Sequence, residues 1–187
     1  GVEFTEAEGE AAFYGPKMDL IAKDSLGREW QLSTIQLDLN MAGQFGLEYT
    51  DDKGKKQTPV MIHAAIVGSP ERFLGVLIEH YAGAFPLWLA PEQIWILPIS
   101  DKFFSYASDV RQKLLKLNED LRVRVNDENE TLGKRIRQGE TMKIPYLLIV
   151  GEREMSNNTI SVRERGKGDT GSTPLEVFEE KLTKELW

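Results

Sequence analysis

His63 stands alone in the apolar run Met61-Ile62-His63-Ala64-Ala65-Ile66-Val67, upstream of Arg72. An imidazole in that setting can ligate a metal, or it can be a satisfied histidine in a core. The sequence contains no cysteine, so neither a disulfide nor a thiolate metal site can come from it, and any zinc held here must use histidine or carboxylates. Arg72 falls in the first turn of a helix opened by Ser69-Pro70-Glu71, where a planar guanidinium can meet phosphate oxygens or simply face solvent. Lys17 follows Gly15-Pro16, and Gln31, Thr34 and Gln36 lie on one strand. Their polar groups suit hydroxyl, amide and phosphate contacts, but taken alone they are a surface lysine and polar strand residues.

The elements that position these residues can be read from periodicity and turn chemistry. Strands are expected over Ala12–Ile21 and Glu29–Leu39. Strict alternation in the second puts Trp30, Leu32, Thr34, Gln36 and Asp38 on one side and Gln31, Ser33, Ile35 and Leu37 on the other. Polar groups amid apolar ones on one face suit a strand lining a cleft. Thr50–Lys56 reads as a hairpin turning at Gly54, and Gln57–Ala65 as a third strand. Ser69 can cap a helix, Pro70 fits its first position and Glu71 suits its positive end, which predicts a helix over Pro70–Tyr81 with Phe73, Leu74, Leu77 and Ile78 at core spacing and Gly83 near its end. Phe85–Pro91, with two prolines, emerges as an extended segment and marks a domain junction near residue 91.

Beyond the junction the order is strand Gln93–Ile99, helix Lys102–Leu117, strand Leu121–Val125, helix Glu130–Thr141, strand Tyr146–Val150, strand Thr159–Arg165 and helix Pro174–Leu186, with Gly151–Asn158 making one hairpin. The expected fold class is α/β. Residues 1–91 form an α+β domain with antiparallel strands, and residues 92–187 an α/β domain with a mixed, mostly parallel sheet covered on both faces.

The net charge is -7, which argues against a chain-wide grip on a phosphate backbone. The acidity is concentrated in residues 1–91, with 7 Lys and Arg against 13 Asp and Glu, whereas residues 92–187 hold 16 against 17. In this second part Arg122, Arg124, Lys134, Arg135, Arg137 and Lys143, and then Arg163, Arg165 and Lys167, gather enough charge for a local basic face. Interleaved Asp127, Glu128, Glu130 and Glu164 favour a solvated surface instead. No run of about 18 apolar residues could span a bilayer, and the first residues are acidic where a secretory leader would be basic, so the expected location is the cytoplasm.

Met61–Phe73 resembles motif 3 of class II aminoacyl-tRNA synthetases in the form used by threonyl-tRNA synthetases. Ala12-Phe13-Tyr14-Gly15-Pro16-Lys17 and Gln31–Asp38 are similar to the two preceding strand motifs of that family, and Trp88-Leu89-Ala90-Pro91 to its lead into the anticodon-binding domain. The resemblance runs from about residue 11 to residue 185. It implies the C-terminal part of a threonine–tRNA ligase, with the end of the catalytic domain in residues 1–91 and the anticodon-binding domain in 92–187. By that resemblance Arg72, with Gln31, Thr34 and Ser69, binds ATP with its magnesium, while Lys17 and Gln36 join Arg72 in the catalytic cleft. His63 is one of three ligands of a zinc that binds the threonine amino group and hydroxyl, which rejects the isosteric valine. The other two ligands, a cysteine and a histidine upstream in the family, have no counterpart here. Asn129, Arg137, Glu154 and Arg163 match positions that contact the anticodon, where arginines stack on or bond splayed-out bases and Asn and Glu read base edges. The implied partners are threonine tRNA, threonine, ATP and, in the complete enzyme, a second copy of the chain.

The sequence departs from the pattern in three ways. Ala64 stands where the family usually has arginine, as does Glu128 beside Asn129, and the chain begins after motifs 1 and 2. The expectation is a chain that does not aminoacylate alone. The rival reading is a non-catalytic tRNA-binding module derived from a synthetase; His63, Arg72, Lys17 and Gln36 speak against it, because a pure binding module has no use for them. A prolyl or histidyl relative is disfavoured by the position of His63 before the motif 3 arginine.

Overall fold

A computed structural model describes residues 4–186, which divide into two compact units, one ending at residue 80 and the other beginning at residue 81. In the first unit, β1 (Lys17–Lys23), β2 (Glu29–Asp38) and, after the short helix α1 (Met41–Gln44) and the two-residue strands β3 (Tyr49–Thr50) and β4 (Lys56–Gln57), β5 (Met61–Ala65) lead to helix α2 (Pro70–Tyr81). The sheet order is β1-β2-β5, antiparallel throughout. β3 and β4 form the expected hairpin.

Three details of this unit differ from the sequence reading. β1 begins at Lys17 because the chain first turns, with the Gly15 N–H donating to the Ala12 carbonyl at 3.1 Å. Gly15 crosses β2 so closely that a Cβ there would sit 2.0 Å from the Leu37 carbonyl oxygen. The strand expected over Gln57–Ala65 is interrupted at 58–60, where Pro59 has no N–H for a ladder. Helix α2 has the expected bounds but no fully buried residue, and Leu74 and Ile78 stay about half exposed.

The second unit contains β6 (Ile94–Pro98), α3 (Phe104–Leu117), β7 (Val123–Val125), α4 (Leu132–Thr141), β8 (Tyr146–Val150), α5 (Glu152–Asn157), β9 (Thr159–Glu164), β10 (Gly168–Pro174) and α6 (Leu175–Leu186). Its sheet order is β10-β9-β8-β6-β7. β6 pairs in parallel with β7 and β8, whereas β9 and β10 run antiparallel, so the sheet is mixed. Alternation along β6 builds the two cores. Ile94 and Ile96 join Val110, Leu114, Phe178 and Leu182 beneath α3 and α6, while Trp95 and Leu97 join Leu147 and Ile144 on the face that α4 covers. Gly139 lets α4 approach, since a Cβ there would lie 2.6 Å from Leu147 Cδ2 and 3.3 Å from Trp95 Cε3.

The hairpin expected over Gly151–Asn158 is instead helix α5. The Glu154 carboxylate accepts from the Gly151 N–H at 3.0 Å, which satisfies the N-cap donor as the glutamate of a capping box does, although glycine has no side chain to return the bond, and Asn158 ends the helix in the left-handed region. The hairpin of this unit is β9–β10, and β10 has no strand signal in the sequence because Gly-Asp-Thr-Gly-Ser-Thr-Pro carries no apolar alternation. No helix among the described residues is long and apolar enough to cross a membrane.

Candidate functional site

The three-stranded sheet of the first unit gathers its polar residues on one face. Gln36 lies between Lys17 of β1 and His63 of β5, and Thr34 lies between Asp19 and Ala65. Strict alternation would send Gln31 to the opposite face, but Leu20 pairs with Ser33 while Ile21 pairs with Gln31, leaving Leu32 as an extra residue. This bulge reverses the phase of the strand. The Gln31 side chain consequently reaches Asp19, its Nε2 donating to Oδ1 at 2.8 Å, and joins Thr34 and Gln36. The alternation reading of Gln31 is thus corrected by a single inserted residue.

Hydrogen bonds lock this face. Lys17 Nζ meets Asp19 Oδ2 at 2.5 Å, and Gln36 Nε2 donates to the Thr34 hydroxyl at 3.4 Å. The bond from Lys17 holds the Asp19 carboxyl below the usual carboxylate range, and the bond to Asp19 raises Lys17, so both stay charged. The Tyr14 hydroxyl donates to Gln36 Oε1, and its ring stands edge-on to His63 at 5.8 Å. His63 is half exposed rather than part of a core, and its Nε2 lies 2.8 Å from Asp38 Oδ2. Asp38 is fully buried. Burial pushes its carboxyl up, but bonds from the Met41 N–H, the His63 ring and the Asn40 N–H outweigh that and hold it below its ordinary value. A carboxylate fixing one imidazole nitrogen leaves the other oriented for a ligand, the usual support for a metal-binding histidine, so His63 fits the role of a single zinc ligand. Among the described residues no cluster of three His, Asp or Glu could hold an ion.

Arg72 reaches this unit's site from α2. Ser69 caps the helix, its Oγ accepting from the Arg72 N–H at 3.3 Å and donating to Glu71 Oε2 at 2.9 Å, so its hydroxyl is already engaged. Arg72 Nη1 donates to the Gln31 carbonyl at 3.1 Å, and its guanidinium lies 5.7 Å from the centre of the Trp30 ring. Sequence reasoning missed Tyr14, Asp19, Trp30 and Asp38. Each was legible only once the register placed it beside a residue already singled out.

In the second unit Asn129 lies in the turn between β7 and α4, Arg137 is exposed on α4, Glu154 sits in the first turn of α5 and Arg163 lies on β9. No hydrogen bond or ion pair among the described residues joins any two of the four. Arg163 Nη2 meets Glu140 of α4 at 3.0 Å and its Nη1 lies 3.6 Å from Asp169, while its buried Nε has no partner. It lines a cavity of about 200 Å³ with Ile144, Leu147 and Arg165. Glu154 is committed to its cap, and Glu128 pairs with Arg124 at 2.9 Å, so the charge reversal beside Asn129 is neutralised internally.

Of the basic residues that suggested a charged face, most are otherwise employed. Arg122 donates to the carbonyls of Trp88 and Ala90, Lys143 to that of Ala82, Arg165 to those of Phe85 and Lys143, and Arg135 to those of Asn126 and Pro98. Arg124, Lys134, Arg163 and Lys167 pair with carboxylates. Among these described residues only Arg137 has neither kind of partner.

Residues 2–81 match the family model for the tRNA synthetase class II core domain (G, H, P, S and T), and residues 93–185 match the model for the anticodon binding domain. Fold and matches together define a class II aminoacyl-tRNA synthetase. The chain is 50% identical over 186 residues to the threonine–tRNA ligase of Clostridioides difficile, and 54% identical over 178 residues to that of Bacteroides fragilis, covering 100% and 95% of itself but only 29% and 27% of those proteins. A crystal structure of the RNA binding domain of threonyl-tRNA synthetase from Cryptosporidium parvum superposes with a TM-score of 0.83 at 35% identity, over 95% of this chain and 44% of that one. The chain belongs to the threonyl-tRNA synthetase family, and it spans about 30% of the length of the curated relatives it matches.

Proposed function

We propose that this chain serves a threonine–tRNA ligase, which condenses threonine with ATP and passes the threonyl group to its tRNA, with the first unit contributing to activation and the second to anticodon recognition. The observation that carries this reading is the gathering of Lys17, Gln31, Thr34, Gln36 and His63 on one face of an antiparallel sheet, with Arg72 bonded to its rim. Arg72 is the cation for the ATP phosphates, with Gln31, Thr34 and Ser69 as neighbouring polar contacts and Lys17 and Gln36 lining the cleft. His63, steadied by Asp38, is one zinc ligand, and the others come from outside this chain. A bound zinc supplies a Lewis acid that takes the threonine amino group and hydroxyl, which valine cannot match. Magnesium accompanies the nucleotide. Asn129, Arg137, Glu154 and Arg163 are the anticodon contacts. A cytoplasmic enzyme acting as a homodimer is the setting this implies.

Two measurements test the proposal. In the complete enzyme, His63→Ala is expected to lower zinc content and to erode the preference for threonine over valine; unchanged zinc and unchanged selectivity overturn the metal assignment. Fluorescence anisotropy of this chain with the threonine tRNA anticodon stem-loop is expected to show preference over a loop with its second and third anticodon bases changed. Equal affinity for both loops would show a tRNA grip without anticodon reading and would favour the binding-module alternative.

A further inference from the structure

Arg72 differs from Arg28, the other arginine of the first unit, in how it is held. Arg28 is neutralised twice, by Asp24 at 2.5 Å and by Glu79 at 3.5 Å. Arg72 has no carboxylate partner among the described residues; its contacts are the Gln31 carbonyl and the face of Trp30, both uncharged. An aromatic face attracts a guanidinium through its quadrupole and fixes its plane without cancelling its charge. Trp30 is itself anchored, its Nε1 donating at 2.8 Å to the buried Asp24, which also accepts from the N–H groups of Leu26 and Arg28. Arg28 lies over the same ring, 5.7 Å from its centre. With Arg28 neutralised by Asp24 and Glu79, the ring can accommodate Arg72 beside it.

We propose that Trp30 is a positioning residue for Arg72: it orients the guanidinium through an uncharged contact, so that the full positive charge remains available to the phosphates of a nucleotide. The inference deepens the nucleotide role proposed for Arg72 and rests on it. A carboxylate at the position of Trp30 would hold the arginine as firmly but would compete with the phosphates; a ring does not.

The test has an arm that needs no nucleotide. In the NMR spectrum of the 187-residue chain, the Arg72 Nε–H resonance, assigned by its loss in Arg72→Lys, is expected to carry a ring-current shift, with cross-relaxation between the indole protons and the Arg72 δ-methylene. Absence of that cross-relaxation overturns the proposal without any variant. Trp30→Leu is expected to move the Arg72 resonance toward that of a free arginine and to weaken ATP binding roughly three- to tenfold by calorimetry, while Trp30→Phe restores most of both. An unmoved resonance in Trp30→Leu, or unchanged ATP affinity once the resonance has moved, overturns it. If the resonance moves as expected but Arg72→Ala leaves ATP binding by the complete enzyme unchanged, the positioning stands and the nucleotide reading of Arg72 falls.

Discussion

Asp24 accepts four hydrogen bonds, from the Leu26 and Arg28 N–H groups, the Arg28 guanidinium and the Trp30 indole. Burial alone would push its carboxyl up, but those donors, the Trp30 indole foremost, outweigh burial and hold its pKa far below the ordinary carboxylate value. A folded-state pKa below the unfolded one contributes stability that is present above about pH 4 and is lost as pH falls through the folded value. In Asp24→Asn an amide NH2 must face the indole and guanidinium donors, so the variant should be less stable than the parent near neutral pH. The gap in urea midpoint should hold from about pH 5 upward and narrow below about pH 4. A gap that stays constant through the acid range would show that the carboxylate charge is not what the loop depends on. Of the individual site residues, His63, Arg72, Lys17, Thr34 and Gln36 could be singled out from the sequence because they sit in ordered motifs, whereas Asp19 and Trp30 could not. Their importance lies in which neighbour the bulge and the register give them, and that is a property of pairing rather than of residue type.

The elements followed the same division. Helix α2 was legible because Ser69, Pro70 and Glu71 each satisfy a separate demand of a helix start, and β6 and β8 because buried strands are continuous apolar runs. Helix α5 was not, since its cap is made by a glycine and a glutamate three residues on, a signal weaker than the Asn157-Asn158 pair that suggested a turn. Helix α4 offers a paired test of packing against propensity. A methyl group at Gly133 would meet nothing within 4 Å, so Gly133→Ala should stabilise by about 0.5 kcal/mol through the unfolded chain. At Gly139 the same methyl would press on Leu147 and Trp95, which are 2% and 0% exposed and have little room to give. Overpacking there costs about 1–3 kcal/mol, more than the helix-propensity gain of at most about 1 kcal/mol, so Gly139→Ala should lower the urea midpoint. Equal stabilisation by both variants would mean that α4 does not pack tightly on Trp95.

Taken as a whole the molecule is acidic, with a net charge of -7, and its basic residues serve mainly to fasten the chain to itself. Arg122, Lys143 and Arg165 bind backbone carbonyls of residues 82–90, so the charge that composition suggested for phosphate is spent on structure. Counterion release then predicts that stem-loop binding by this chain depends weakly on salt, with log K falling against log salt by about 1 for one or two phosphate contacts. A slope steeper than about -3 would mean that pairs such as Arg163 with Glu140 open to the RNA backbone. The two units are also built differently. Among the described residues the only buried apolar side chains of the first are Leu32 and Ala42, and its order rests on hydrogen-bonded carboxylates, whereas the second has two apolar cores. The margins of the larger sheet carry one more consequence. Its outermost strands are β7, three residues long, and β10, bent by a bulge between Asp169 and Gly171 and closed by Pro174. A straight apolar border would invite another copy to add its own strand and so begin a filament; with neither border able to serve as a template, crowded or stored samples of this unit are guarded against fibril growth by geometry rather than by charge.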